Sequence, residues 1–176
     1  MRSLCFAITV TVIIATSAAA AENFSTWTDP TGHLRFEYPS TWSLAPQRTD
    51  VPGEVRAMTG AANYECQIFL LPHPSSASAT PEALHQMYSH PIAQTEWVNM
   101  IAPLGYYRLP ATVSEATIDA SSDWPTQHAT LTGDHPPVYA TLRAHPGLEL
   151  ISVCHSFDGV DRKELFDQIA ASVTTP

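Results

Sequence analysis

The sequence predicts an α+β fold in which an antiparallel sheet is flanked by helices. Three observations carry this expectation. Strand-like patterns open the chain, two helical patterns follow, four more strands come next, and an amphipathic helix closes it. Successive strands are separated by short breaks such as Gly60-Ala61-Ala62-Asn63 and His145-Pro146-Gly147, whereas parallel pairing needs long crossovers. Residues 148–157 are uncharged except for Glu149 and apolar on both faces, as expected of a strand covered on both sides.

The N-terminus sets the expected compartment. Arg2 supplies a positive start, residues 4–15 an apolar stretch too short for a comfortable membrane span, and Ala18-Ala19-Ala20-Ala21 a small-residue cleavage pattern. Residues 1–21 are therefore expected to form a cleaved signal peptide. Residues 22–176 would then be a single domain, periplasmic or secreted, with no membrane span after cleavage. Cys5 precedes the apolar stretch, where a lipoprotein cysteine cannot lie, so no lipid anchor is expected. Eight Lys and Arg face 17 Asp and Glu, a net charge of −9. An acidic surface repels phosphate backbones and anionic lipid heads, which argues against a nucleic-acid partner.

In order, Phe24 and Trp27 are the first apolar anchors, and Asp29-Pro30-Thr31-Gly32 is a turn. In 33–38, Leu34, Phe36 and Tyr38 alternate with His33, Arg35 and Glu37, the pattern of a half-buried strand that Pro39 stops. Trp42 and Leu44 begin a short strand, 46–53 form a polar loop, and 54–59 resume a strand. The latter makes a hairpin with 64–71, in which Tyr64, Cys66, Ile68 and Leu70 share a face. Residues 72–80 read as an exposed connection. Thr80-Pro81-Glu82 starts a helix with a hydroxyl cap, a first-turn proline and an acid near the positive end of the dipole. Pro91 can open a second helix, with Ala93, Trp97, Met100 and Ile101 on its apolar stripe. That methionine and aromatic stripe is expected to be core and not a cofactor pocket. Strands are expected at 111–118, 126–132, 138–143 and 148–157. A helix is expected over 161–173, with Asp161 and Glu164 at its start and Leu165, Phe166, Ile169 and Val173 buried.

Of the three cysteines, two would survive cleavage of the leader. An even pair in an exported chain usually forms a disulfide, so Cys66–Cys154 is expected to join the two strands that carry it. Two separate thiols or a redox pair are the rivals, and there is no C-x-x-C to support redox chemistry.

Trp27-Thr28-Asp29-Pro30-Thr31-Gly32-His33-Leu34-Arg35-Phe36-Glu37-Tyr38-Pro39-Ser40-Thr41-Trp42 resembles the opening hairpin of the PsbP-like superfamily. That group includes an extrinsic oxygen-evolving subunit of photosystem II, a yeast Ran-binding protein and many bacterial exported lipoproteins. In it a strand, an Asp/Pro/Gly turn and a second strand ending in Tyr-Pro-x-x-Trp recur. The last strand and helix, 148–173, are similar too. The resemblance implies a PsbP-like α/β/α sandwich and no catalysis, since most members bind partners or are uncharacterised. Its motif is architectural, so no metal or partner site is carried over.

Candidate chemistry is sparse. Of eight histidines, His85 and His90 are five apart, off the H-x-x-x-H register of a zinc helix. Those at 73, 90, 135 and 145 precede prolines, which marks loops or turns, and surface histidines are expected. No G-x-S-x-G and no clustered glycines appear. His155 follows Cys154 along a strand and must point to the opposite face. Asp158 and Asp161 suit helix capping better than calcium. Trp27, Trp42, Tyr106, Tyr107 and Trp124 fall near loops, where aromatics lid a core or anchor a partner. Tyr106, Tyr107, Arg108 and Trp124 form the candidate binding surface.

The expectation is thus an exported, non-catalytic binding or accessory protein of the bacterial cell envelope. It would have no cofactor, and its partner would be a protein or a small molecule. The alternatives are a small secreted enzyme with a cleft beside the sheet, or a metal-binding periplasmic protein in which three or more histidines or acids converge.

Overall fold

The computed structural model describes residues 22–102 and 111–176. Two strands, β1 (Phe24–Thr28) and β2 (Arg35–Pro39), form a separate antiparallel hairpin. Its turn is built by Asp29, whose carboxylate accepts the backbone N–H groups of Thr31 at 2.8 Å and of His33 and Leu34 at 2.6 Å, together with the Thr31 hydroxyl. Gly32 completes the turn at φ 75°, which a Cβ would disfavour. Burial alone would raise the Asp29 pKa, but these bonds outweigh it and hold the carboxyl below its ordinary value.

Seven further strands form one sheet: β3 (Ser43–Gln47), β4 (Val55–Ala61), β5 (Tyr64–Pro72), β6 (Thr112–Asp119), β7 (Thr126–Thr132), β8 (Val138–His145) and β9 (Leu148–Ser156). Their spatial order is β3-β4-β5-β9-β8-β7-β6, and every pair is antiparallel. The chain leaves the centre after β5, runs through α1 (Pro81–Met87) and α2 (Gln94–Ile101), and re-enters at the far edge as β6. It then meanders back until β9 pairs with β5. Gly60 is obligatory on β4, since a Cβ there would lie 2.6 Å from the Tyr64 carbonyl oxygen. The His145-Pro146-Gly147 turn holds its glycine at φ 78° and returns β8 directly into β9.

Strand alternation sends the side chains of β5 and β9 into two cores. On one face Phe69, Ile151 and Val153 meet Leu142 of β8 and Trp97 and Ile101 of α2. On the other, Cys66, Ile68, Leu70, Leu150 and Cys154 meet Phe166, Ile169 and Val173 of the C-terminal segment and Leu34 and Phe36 of the hairpin. Helix α3 (Lys163–Ser172) is tied to the hairpin twice. Arg35 and Thr174 exchange backbone hydrogen bonds at 2.9 Å, and Glu37 N–H donates to the Ser172 hydroxyl at 2.9 Å. Cys66 and Cys154 stand directly opposite in the β5–β9 register and are bonded.

Several boundaries differ from expectation. Helix α2 starts at Gln94 and not at Pro91, because the Glu96 carboxylate accepts the Ala93 N–H and fixes the first turn there. Helix α3 starts at Lys163, with the Asp161 carboxylate accepting the Lys163 N–H at 2.9 Å. Phe157, the last residue of the expected 148–157 strand, lies past the end of β9 and is 45% exposed.

Candidate functional site

The cross-strand register builds the floor of a cleft. Arg56, Phe69, Ile151 and Leu142 lie side by side across β4, β5, β9 and β8, and Leu71, Glu149 and Ala144 form the next row. Helix α2 places Trp97 and Ile101 in the core on this face. The connection between α1 and α2 is pinned by Gln127 of β7, which is fully buried. Its amide donates to the carbonyls of Tyr88 and His90, both at 2.9 Å, and its oxygen accepts the Ile92 N–H at 2.9 Å. Held there, the helices leave a cleft of about 640 Å³ over β4, β5, β8 and β9. Met87, Tyr88, Ile92 and Met100 wall it, and Phe69, Leu71, Leu142 and Ile151 floor it. Size and lining match a small-molecule site.

Its polar groups lie among these apolar ones. The Tyr88 hydroxyl donates to the Glu149 carboxylate. Burial first, and the adjacent Glu149 second, push the Tyr88 pKa well above that of an ordinary phenol. Tyr88 is therefore a fixed hydrogen-bond donor at neutral pH and not a base. Arg56 bonds to Glu54 and lies over the Phe69 ring, 5.2 Å from its centroid. Glu96, Asn99 and His73 complete the lining. The methionine and aromatic stripe is only partly core, since Trp97 and Ile101 are buried whereas Met100 is half-buried and lines the cleft.

Further along the same face lies a buried polar group. Glu65 accepts from the Gln67 amide at 3.1 Å and lies 3.4 Å from His155 Nε2. Burial would raise the Glu65 pKa, but His155 and Gln67 outweigh it and hold it low. His155 does point away from Cys154, as strand alternation requires. On the opposite face a polar groove of about 390 Å³ separates α3 from β6–β8, lined by His128, Thr141, Arg143, Asp119, Lys163 and Asp167 among others. Its charges are of mixed sign: Lys163 pairs with Asp167 at 2.6 Å, and Arg143 donates to the Val173 carbonyl at 2.8 Å, capping the end of α3. Burial pushes the His128 pKa down. Among the described residues, no group of three or more His, Cys, Asp and Glu could hold a metal ion.

Tyr106, Tyr107 and Arg108 lie outside the described residues. Trp124, the fourth member of that candidate surface, is half-buried at one end of the α3 face, its ring 4.6 Å from that of His145. It is not part of the α1–α2 cleft. Cys66 and Cys154 are joined in the sheet, with neither sulfur available as a nucleophile. The expectation of surface histidines fails for His145 and His155, which are 8% and 4% exposed. His145 ends β8 with its side chain turned into the structure. Burial first, and Arg143 second, lower its pKa to about 4. Sequence reasoning missed Gln127 and Glu149 altogether. A glutamine amid the alternation of β7 and the single charge inside the doubly apolar β9 were the available signals.

No family model and no curated protein matches the chain. Among solved structures it is similar to cyanobacterial PsbP (CyanoP) from Synechocystis sp. PCC 6803, with a TM-score of 0.59 and 16% identity over 94% of this chain and 99% of that one. A crystal structure from Bacteroides thetaiotaomicron gives a TM-score of 0.47 and 12% identity over 86% of this chain and 48% of that one. At 16% identity the first likeness speaks to fold and not to activity. A large antiparallel sheet between helices, with a separate opening hairpin and an amphipathic C-terminal helix, is the PsbP-like α+β fold, and this chain has it.

Proposed function

We propose that the chain is an exported, non-catalytic binding protein of the bacterial cell envelope, and that it binds a small molecule in the cleft between α1–α2 and the sheet. One observation carries this reading. A volume of about 640 Å³ is floored by four adjacent strands and walled by two helices that a buried glutamine holds at a fixed distance. Preformed apolar clefts with a few oriented polar groups are the usual form of a ligand site. The protonated Tyr88 hydroxyl suits recognition, not proton abstraction. Export is supported by the leader-like residues 1–21 and by a disulfide compatible with an oxidising compartment. Among the described residues no helix is long and apolar enough to cross a membrane.

Thermal-shift screening of small apolar compounds, with a cleft-filling Leu71→Trp variant as control, tests the binding. Saturable stabilisation that Leu71→Trp abolishes is expected. Stabilisation unchanged by the variant, or none at all, would sink the cleft as the site. Chemical turnover of a bound compound would replace binding with catalysis. N-terminal sequencing of protein recovered from the producing cell tests export, and a chain still beginning at Met1 would count against it.

A further inference from the structure

We infer that the cleft selects a small apolar molecule carrying a protonated amine. This rests on the cleft being a ligand site and adds the ligand's charge. The argument is one of unbalanced charge around an apolar floor. Three side chains of the lining are of charged type: Arg56, Glu96 and Glu149. Arg56 is already engaged, since its Nε–H bonds to Glu54, a buried neighbour outside the cleft lining, and its guanidinium lies against Phe69. Among the described residues neither Glu96 nor Glu149 has a cationic partner.

Glu149 is the more telling of the two. It is half-buried on β9, in the row between Leu71 and Ala144, and so projects from an apolar floor. One of its oxygens, Oε1, accepts the Tyr88 hydroxyl, which fixes the carboxylate and leaves Oε2 without a partner among the described residues. Glu96 stands across the cleft on α2, with Oε2 accepting the Ala93 N–H at 3.3 Å. His73, the remaining titratable base on the rim, has its two ring nitrogens within 3.1 Å and 3.2 Å of the hydroxyls of Ser76 and Ser75. A carboxylate next to apolar surface is stabilised by a cation that brings its own hydrocarbon to cover that surface. The acidic chain as a whole, at −9, raises the local concentration of cations further. An anionic amphiphile would place its head among two uncompensated carboxylates.

The test is calorimetric titration at low salt with three probes of one shape: phenylbutylamine, phenylbutanol and phenylbutyrate. The amine is expected to bind about tenfold more tightly than the alcohol, and the carboxylate more weakly than either. Glu149→Gln, which keeps an acceptor for Tyr88, should remove most of the amine's advantage over the alcohol. Glu96→Gln should reduce it by about twofold, as expected for an exposed charge. Equal binding of amine and alcohol would overturn the charge preference while leaving the cleft intact as a site. Tighter binding of phenylbutyrate would overturn it in favour of Arg56 as the selecting group. No saturable binding by any probe would overturn the cleft and the preference together. Melting curves of each variant confirm that loss of binding is not loss of fold.

Discussion

The two faces of the seven-stranded sheet are built from the same strands and finished differently. The α3 face is sealed over β5 and β9, where helix, hairpin and C-terminal residues interlock above the disulfide, and only a polar groove remains over β6–β8. The α1–α2 face is covered by α2 towards β7 and left open as a cleft over β4, β5 and the adjoining parts of β9 and β8. The difference teaches that one face carries stability and the other is free to carry recognition. Substitutions that keep this division should leave the fold standing, and those that reach the α3 core should not.

The largest effect is expected at the disulfide. Cys66 and Cys154 are 88 positions apart. Closing a loop of that size restrains the unfolded chain by about 4–5 kcal/mol in the chain-entropy account. Replacing both with Ala, or reducing the wild-type chain, should lower unfolding free energy by about that amount in urea titrations. Wild type that unfolds at the same urea concentration with and without reductant would show that the crosslink does not support this face. Phe166→Ala comes next. Its ring is fully buried between the sheet and the hairpin, and truncation should destabilise by about 4 kcal/mol. A loss below about 1 kcal/mol would mean that the hairpin does not seal this face.

How much of this division could be read in advance follows from what strands advertise. The alternation of Cys66, Ile68 and Leu70 against Phe69 and Leu71 gave both faces of β5, and the doubly apolar run of 148–157 marked the central strand. The turn chemistry of Asp29 to Gly32 and of Pro146-Gly147 gave the hairpins. The cleft was not legible, because it is a gap between elements and no local pattern encodes a gap. Met87 at the end of α1 and Tyr88 just after it are as apolar as core residues would be. Only the tether from Gln127 of β7, 35 positions or more away, fixes where the connection after α1 sits over the sheet. His145 was hidden for a related reason. A histidine before proline reads as a turn, and this one ends a strand with its ring against Trp124.

His145 gives the α3 face a dependence on pH. Its folded pKa of about 4 lies below the usual value of 6.5, so the unfolded chain binds the proton more tightly. The stabilisation is complete above about pH 6.5 and is lost as pH falls towards 4. The loss is on the order of 3 kcal/mol. Asp29 adds a second, more acidic loss, because its folded pKa is also lowered and its stabilisation goes only as pH falls through that value. Unfolding free energy should therefore decline between pH 6.5 and 4, and His145→Gln should flatten that decline. A variant with the same slope as wild type would place the titrating group elsewhere.

The smallest expected change in stability is the one that separates the faces most cleanly. Met87 is 52% exposed and stands at the mouth of the cleft. Met87→Ala removes little buried surface and leaves a good helix former in α1, so stability should move by no more than about 0.5 kcal/mol. The same truncation removes apolar wall from a bound probe, and a loss of about 1 kcal/mol there is about a fivefold fall in affinity. Phe166→Ala, measured under conditions where it remains folded, should do the reverse and leave probe affinity near that of wild type. A Met87→Ala protein that loses stability and keeps its affinity would mean that α1 braces the sheet as α3 does, and that the open face is a structural surface after all.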